Sequence, residues 1–563
     1  MKQKIDQNIS LKKQIRTKNK DLEWIILNGG GADVMLGVMI DCSRNAVMNV
    51  ESIKHFVDLL VKMGYDTLML YTEDTFEVNN QPFFGHKRGR YTKEELKDID
   101  RYCKSKGVEL IPCIQTLAHL NCVFKWYDSY NDMNDCDDIL LIGEEKTYQL
   151  IQDMFATISE CFTSKQIHIG MDEAHMVGLG KYLQKHGYEE RFNVINRHLH
   201  KVCALAEKFE LKPMIWSDMF CKLAMGNSDY YDAENVEVIK TQGALPDRVS
   251  LVYWDYYGKD YERYKNLIKA NQAFGREVVF AGGAWTWKGF LPDNRFSIET
   301  MTPAIQACKD CGVDNIVFTL WGDDGGECSR YGVLPTLFYT SQLVSGNNNV
   351  EDIKQKFKET IGMDFDSFML LEEMDYLGNG HLKKGCEAPS KYLLYNDPFL
   401  GLMDYRLSGC ENQYYSDMLE KLSQLEITKE YEVIFNYAKK LCDVLTVKSE
   451  LGLRTRTLYL NKDKKLLRQL AETEYNQAIE KIMNFHKVYQ IWWTNENKPQ
   501  GFEVQDIRIG GLLQRIRSCR ERILAYCDGK IDGIPELEEP VLEDDCGCTW
   551  ARIVTPGVLS HLV

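Results

Sequence analysis

The amino-acid sequence predicts an α/β fold, a (β/α)8 TIM barrel followed by an α-helical C-terminal domain. Eight short apolar runs alternate with segments of helical period between Val34 and Trp321, and this alternation stops near residue 350. Apolar strands that alternate with helices are typical of a parallel sheet covered on its outside, and eight such units match a closed barrel. An open doubly wound sheet is the alternative. It is less favoured because no GxGxxG follows any run, and the glycines Gly29–Gly31 precede a strand.

The eight predicted strands are rich in Val, Ile and Leu and are bounded by turn residues. They are VMLGVMI from Val34, TLMLY from Thr67, VELIPCI from Val108, IHIGM from Ile167, PMIWS from Pro213, LVYW from Leu251, VVFAGG from Val278 and IVFTLW from Ile316. Amphipathic segments such as SIKHFVDLLVKMG lie between them, and several end in the glycine expected just past a helix C-terminus.

These patterns divide the chain into three parts. Residues 34–345 are predicted to form the barrel, and residues 1–33 a short N-terminal extension. Residues 346–563 are predicted to form the α-helical domain, because long stretches rich in Leu, Lys and Glu, such as KKLLRQLAETEYNQAIEKIMNFHKVYQIWW, indicate helices that pack through one face.

Composition excludes several classes of function. The formal net charge of −15 argues against a nucleic-acid partner. No apolar signal segment follows the basic N-terminus, and the run Val34–Ile40 is too short to span a membrane. The 18 scattered cysteines are typical of free thiols, which predicts a cytoplasmic protein. The pairs Cys308/Cys311 and Cys546/Cys548 lack a second ligand pair at zinc spacing, so no metal or cofactor is predicted.

The residues that follow the strands carry the functional signal, because the C-terminal strand ends of a barrel converge on one mouth. Nearly every strand ends in an acid, an aromatic residue or both. In order these residues are Asp41 and Arg44; Tyr71, Glu73 and Asp74; Gln115 and His119; Asp172, Glu173 and His175; Trp216 and Asp218; Tyr253, Trp254 and Asp255; Trp285 and Trp287; Trp321, Asp323 and Asp324. Indoles stack on the apolar faces of pyranoses, and carboxyl groups bind hydroxyls and cleave glycosides, so the combination predicts a sugar site. The basic run HKRGR, His86–Arg90, is interpreted as a solvated or ion-paired loop.

The segment HIGMDE resembles the H-x-G-x-D-E signature of family 20 glycoside hydrolases, the β-N-acetylhexosaminidases. The segments MIDCSRNAV, MLYTEDTFEV, FFGHKRGRYTKEEL, LIPCIQTLAHL and IHIGMDEAHMVGLGKY resemble the bacterial exo-β-N-acetylglucosaminidase branch of that family. The resemblance covers roughly residues 34 to 340. Its specificity comes from five separated segments that agree in order.

The resemblance implies a retaining, substrate-assisted mechanism. Glu173 would be the general acid and base, and the substrate's own 2-acetamido oxygen would attack C1 to give an oxazolinium intermediate. Asp172 would orient the acetamide and stabilise the charge that develops at its N–H. No protein nucleophile is implied. The implied substrate is an oligosaccharide or glycoconjugate with a terminal β-linked GlcNAc, with GalNAc as a second candidate.

The resemblance also assigns roles to other residues. Arg44 would hold the ring hydroxyls at C3 and C4, and Asp74 with His119 would form a relay that tunes Glu173. Tyr253, in a Y-x-D arrangement, would hydrogen-bond the acetamide oxygen, and Asp255 would reach an outer hydroxyl. The sugar would be enclosed by tryptophans, which are Trp216, Trp321 and either Trp285 or Trp254. Many family members carry W-x-E after the eighth strand, where this chain has Trp321, Gly322 and Asp323, so a shorter acid must reach the C4 and C6 hydroxyls.

Two other functions stay open at this point. The first is a catalytically silent sugar-binding barrel, against which the intact Asp172–Glu173 pair argues. The second is a barrel hydrolase with a metal held by His168, Asp172 and His175, for which the sequence shows no further ligand cluster. The C-terminal helices carry no catalytic signature, and the resemblance suggests that they cover the barrel or form a homodimer interface.

Overall fold

The structure is a computed structural model that describes residues 35–225, 243–377 and 388–542. The predicted N-terminal extension 1–33 and the Cys546/Cys548 pair lie outside the described residues. The fifteen cysteines of the described ranges are all free.

The eight barrel strands are β1 Leu36–Asp41, β2 Thr67–Tyr71, β3 Glu109–Cys113, β6 Gln166–His168, β7 Lys212–Trp216, β8 Ser250–Trp254, β9 Val278–Gly283 and β10 Ile316–Leu320. They are parallel and close into a barrel in the order β1-β10-β9-β8-β7-β6-β3-β2, which confirms the predicted fold class. Each of the eight apolar runs overlaps one of these strands. The sequence did not indicate the antiparallel pair β4 Asn134–Cys136 and β5 Ile139–Leu140, which is too short and too polar to stand out as an apolar run.

Helices cover the outside of the barrel. The longer ones are Val50–Met63, Lys93–Ser105, Glu145–Cys161, Arg191–Lys208, Asp218–Met225, Tyr261–Gln272, Asn294–Cys311 and Leu334–Val344, and the shorter ones are Asn121–Phe124, Tyr127–Tyr130 and Lys181–His186. Local signals fix several of their ends. The helix Lys93–Ser105 begins with a reciprocal capping box between Thr92 and Glu95, and Val50–Met63 ends at Gly64 with a φ of 90°.

Side chains of the barrel strands alternate between two separate cores, because successive residues of a strand face opposite sides of the sheet. The lumen cluster includes Met39, Met69, Ile111, Val252 and Val279, and near the mouth of the barrel it ends in aromatic rings. The outer core lies between the strands and the surrounding helices. A strand residue can therefore direct its side chain to the mouth only if it is one of the alternate positions that face the lumen.

Beyond residue 345 all described regular elements are helices. They are Val350–Ile361, Phe365–Met369, Pro389–Tyr395, Glu411–Ser423, Glu432–Lys448, Leu451–Leu460, Lys464–Glu472, Glu474–Glu496, Phe502–Cys527 and Pro535–Glu538, with 3-10 turns at Glu372–Asp375 and Asp404–Arg406. The connection between the two longest helices reaches the barrel, because the Lys498 N–H donates to the Val47 carbonyl at 2.7 Å. Among the described residues, none of the helices has the length and apolar character needed to cross a bilayer.

Candidate active site

Asp172 lies in the loop after β6 and is buried at the mouth of the barrel. Gln115 Nε2 donates to Asp172 Oδ1 at 2.7 Å, and His119 Nε2 lies 3.1 Å from Asp172 Oδ2. Although burial opposes ionisation, the charge of His119 and these contacts lower the pKa of Asp172 to about 2. A Cβ atom at Gly170 would lie 2.0 Å from Gln115 Oε1, so the glycine of the HIGMDE segment is needed for this approach. Asp172 is thus held as an anion.

Glu173 follows directly, and its surroundings raise the pKa of its carboxyl group, whereas those of Asp172 lower it. Burial, followed by the charge of Asp172, raises the pKa of Glu173. The side chain is 47% exposed, which leaves it accessible from the mouth, and His119 Nε2 lies 3.5 Å from its Oε2. Two adjacent carboxyl groups with opposite pKa shifts allow one to donate a proton while the other stays ionised.

The backbone around this pair has several positive φ values, and it is hydrogen-bonded to a residue that follows the neighbouring strand β7. Met171 and Glu173 have φ values of 76° and 49°, and His119 has a φ of 58°. Such conformations cost roughly 1–3 kcal/mol each and cluster at functional sites. The Glu173 N–H donates to Asp218 Oδ2 at 2.9 Å, at the start of the helix after β7. Burial, followed by the charges of Asp172 and Glu173, raises the pKa of Asp218 to about 8.

Arg44, in the loop after β1, is a further charged residue at the mouth. Its Nη1 lies 3.1 Å from Asp41 Oδ2, and its Nε lies 3.8 Å from both Glu73 Oε1 and Asp323 Oδ1. Its guanidinium also lies 5.0 Å from the ring centre of Trp321. Burial raises the pKa of Asp323 to about 6, although the charge of Arg44 opposes this. A cation and a half-exposed carboxylate side by side suit neighbouring sugar hydroxyls.

Aromatic rings line the space between these groups. Trp216, Trp285 and Trp321 belong to the lumen cluster, and Trp254 packs against it. The rings of Trp216 and Trp321 have centroids 6.0 Å apart, and Trp254 stacks on Tyr256 at 5.4 Å. The structure therefore brings the four predicted tryptophans to one cluster, together with a tyrosine that the sequence analysis did not select.

Tyr253 and Asp255 require a correction. Both are fully buried, and Tyr253 belongs to the outer core, where its ring lies 5.6 Å from that of Phe280. The Tyr253 hydroxyl donates to Asp255 Oδ2 at 3.2 Å, and Arg263 Nη2 binds the same oxygen at 3.0 Å. The predicted contacts of both residues with the sugar are wrong, because β8 directs the odd-numbered side chains outward and Val252 into the lumen.

Asp74 also differs from its predicted role. The prediction paired it with His119, but the structure places Arg88, from the basic run HKRGR, 3.2 Å from the buried Asp74 carboxylate. Glu73 instead faces His119 and Arg44, whose charges act on it, and burial raises the pKa of Glu73 to about 7. With a φ of 43°, Glu73 turns toward the mouth, while the next side chain turns away to Arg88.

Four residues of the site were not selected as site residues from the sequence: Glu73, Gln115, Asp218 and Tyr256. The first three were recognised at strand ends without an assigned role. Tyr256 had a usable signal, because two-residue alternation from Val252 through Trp254 places position 256 on the lumen side. Its side chain is buried in the lumen cluster, where its ring lies 5.4 Å from the rings of Trp254 and Trp287.

The described residues also define where a metal ion could bind. His119, Asp172 and Glu173 place one ligand atom each within 4.8 Å of one another. This set differs from the His168, Asp172 and His175 set of the metal alternative. The His168 ring instead packs 4.3 Å from the Trp216 ring, and its Nδ1 accepts the Gly170 N–H at 3.1 Å. Burial lowers the pKa of His168 to about 3, so this imidazole is a neutral part of the lumen wall.

Two family models match the chain. The catalytic domain of glycosyl hydrolase family 20 matches residues 36–259, and the glycoside hydrolase 20C C-terminal domain matches residues 366–546. Similar curated proteins include a beta-hexosaminidase of Akkermansia muciniphila, 23% identical over 24% of this chain and 34% of its own length. Human hexosaminidase D is 23% identical over 57% of this chain and 68% of its own length. The chain therefore spans about a third of the first relative and about two thirds of the second.

Solved structures also resemble the chain. A GH20 exo-β-N-acetylglucosaminidase from Vibrio harveyi, in complex with N-acetylglucosamine, aligns with a TM-score of 0.45 and 14% identity over 60% of this chain and 58% of its own. A β-N-acetylhexosaminidase from Bacteroides fragilis aligns with a TM-score of 0.44 and 15% identity over 58% of this chain and 70% of its own.

Proposed function

Because the chain belongs to glycoside hydrolase family 20, we propose that it is a retaining exo-β-N-acetylhexosaminidase that releases terminal β-linked N-acetylglucosamine. The observation that carries the proposal is the Asp172–Glu173 pair, in which the pKa of the first carboxyl group is lowered to about 2 and the pKa of its neighbour is raised. A retaining enzyme with a protein nucleophile would need a second carboxylate across the scissile bond from the acid. Here the ionised carboxylate is the acid's immediate neighbour, which suits a role beside the acetamide.

In the proposed reaction, Glu173 gives its proton to the glycosidic oxygen as the bond from that oxygen to C1 breaks. The carbonyl oxygen of the substrate's 2-acetamido group forms a new bond to C1, and an oxazolinium ion results. Asp172 accepts a hydrogen bond from the acetamide N–H and stabilises the positive charge that develops there. Glu173, now ionised, takes a proton from water, which attacks C1 and restores the acetamide with net retention.

Tyr256 takes over the role that was predicted for Tyr253. Its ring lies in the lumen cluster and stacks on Trp254, and burial, with a smaller contribution from the charge of Asp172, raises the pKa of its hydroxyl. A hydroxyl in this position can donate to the acetamide oxygen while Asp172 holds the N–H. Trp216 and Trp321 would enclose the acetamide methyl and the sugar face.

Arg44 and Asp323 are proposed to hold the hydroxyls at the far side of the ring. Arg44 Nε and Asp323 Oδ1 lie 3.8 Å apart. A cation and a carboxylate that both bind outer hydroxyls of the ring suit a terminal sugar, whose outer hydroxyls carry no further residue. GalNAc as a second candidate substrate, the cytoplasmic location and a homodimer stay predictions.

Hydrolysis of aryl glycosides tests the proposed function. We expect release of the aryl group from the β-N-acetylglucosaminide and essentially none from the matching β-glucoside, which lacks the acetamide. Equal cleavage of both would contradict acetamide participation. Glu173→Gln separates an enzyme from a silent sugar-binding protein, since the variant should keep sugar affinity and lose roughly 10²–10⁴-fold in kcat. A wild type that binds GlcNAc without any turnover would favour the binding protein.

A further inference from the structure

The loop after β10 carries Asp323, and the helical C-terminal region holds this loop from outside the barrel. Asp323–Gly325 form one 3-10 turn, in which Asp324 has a φ of 60° and Gly325 a φ of 123°. A left-handed aspartate is unfavourable, so the turn needs support from its surroundings. The Arg508 guanidinium donates to the Asp324 carbonyl, and Gln505 Nε2 donates to the Gly325 carbonyl at 3.4 Å.

The far end of the same loop is fixed by a buried ion cluster. The Glu327 side chain is 1% exposed, and Arg508 Nη1 binds its Oε1 at 2.9 Å. Lys391 Nζ, which is equally buried, lies 2.5 Å from Glu327 Oε2, and the Tyr437 hydroxyl donates to the Glu327 carbonyl at 3.1 Å. Removal of one cation from a buried ion cluster leaves an uncompensated buried charge, which strongly destabilises the folded protein. Arg508, in the helix Phe502–Cys527, therefore contacts the loop after β10 at two points, the Asp324 carbonyl and the Glu327 carboxylate.

The helical region also braces the loop that carries Arg44. The Asn49 N–H donates to the Glu496 carbonyl at 3.0 Å, close to the bond from Lys498 to Val47. A Cβ atom at Gly501, whose φ is 93°, would lie 2.3 Å from the Asn45 carbonyl oxygen. The segment 496–508, which spans the connection between the two longest helices and the start of the second, thus touches the loops after β1 and β10. These loops supply the two charged groups proposed to hold the sugar hydroxyls.

We propose that Arg508 is a positioning residue for sugar binding, which holds the Asp324 carbonyl and Glu327 and thereby keeps Asp323 beside Arg44. The inference rests on the proposed function and adds that the helical region completes the sugar site. Hydroxyl contacts that are equal in the bound substrate and in the transition state set KM and leave kcat unchanged. Loss of the Arg508 contacts should therefore weaken binding without slowing the chemical step.

The variant Arg508→Met removes the charge and retains most of the stem. With aryl β-N-acetylglucosaminide we expect KM to rise about ten-fold and kcat to stay within about two-fold of the wild type. Arg515→Met is the matched control, because Arg515 lies on the same helix and pairs with Asp397 at 3.1 Å, away from the loop. It should lower thermal stability and leave KM unchanged. Arg508→Lys, which retains a cation, should raise KM about three-fold.

A double-mutant cycle with Asp323→Ala tests the route of the effect. If Arg508 acts through Asp323, the double variant will have the KM of Asp323→Ala alone, whereas independent effects would multiply. The inference is overturned if Arg508→Met keeps the wild-type KM, if Arg515→Met raises KM equally, or if the two effects multiply. Should Arg508→Met fail to fold, a wild-type KM for Arg508→Lys overturns it as well. A wild type inactive on the substrate would instead refute the proposed function.

Discussion

The proposed site assigns the acetamide contact to Tyr256 and not to Tyr253. Two conservative variants test this assignment. Tyr256→Phe removes a hydroxyl in the lumen cluster, and Tyr253→Phe removes one in the outer core. A hydrogen bond from the tyrosine hydroxyl to the neutral acetamide oxygen would orient that oxygen for attack on C1, and such a bond contributes about 0.5–1.5 kcal/mol. If Tyr256 holds the acetamide oxygen in this way, kcat should fall by up to roughly ten-fold in Tyr256→Phe.

Tyr253→Phe should behave differently, because the Tyr253 side chain is fully buried in the outer core and not in the lumen cluster. Asp255 would lose one donor at 3.2 Å and keep Arg263 together with the N–H groups of Tyr257 and Gly258. The expected loss is about 1 kcal/mol of stability with kcat near the wild-type value. Initial rates with aryl β-N-acetylglucosaminide and thermal unfolding of both variants provide the measurement. A large loss of kcat in Tyr253→Phe, with Tyr256→Phe unaffected, would refute the assignment and the strand parity behind it.

Three further predictions concern the carboxyl groups of the site. The rate should fall as pH rises through the pKa of Glu173, because this acid must be protonated to act. Asp172, with a pKa of about 2, should cause no loss of rate on the acid side above about pH 3. A rate that rises toward alkaline pH would contradict this prediction. Asp218→Asn should retain activity below about pH 8, because the carboxyl group is neutral there and the amide oxygen can accept the Glu173 N–H in its place. Asp218→Ala lacks an acceptor, so its activity should fall about ten-fold. Equal losses of activity in the pH-rate profiles of the two variants would exclude this positioning role. Activity should survive exhaustive chelation, since Glu173 supplies the proton directly, and its loss with recovery on adding zinc would point to a metal at His119, Asp172 and Glu173.

The barrel was predictable from the sequence because its strands are buried on both faces. All eight appear as apolar runs, and a residue that directly follows such a run must lie near the mouth. This reasoning placed Asp172, Glu173, Arg44 and Trp321 together without knowledge of any contact.

The direction of individual side chains was harder to predict. At Tyr253 the Y-x-D resemblance outweighed the two-residue alternation of the strand, which would have favoured Tyr256. At Asp74 the deciding feature is a turn at Glu73 with a positive φ, together with an ion pair to Arg88, which lies in the run predicted to be a solvated or ion-paired loop. Arg508 lies 184 residues from Asp324, and no local pattern connects the two.

The most direct test of substrate participation uses a series of aryl glycosides in which the acetamide carries zero to three fluorine atoms. Each fluorine makes the carbonyl oxygen less nucleophilic and leaves the size of the group nearly unchanged. The proposed mechanism predicts a steep, stepwise decrease in kcat across the series. A kcat that does not change with fluorination would contradict the claim that the sugar supplies its own nucleophile.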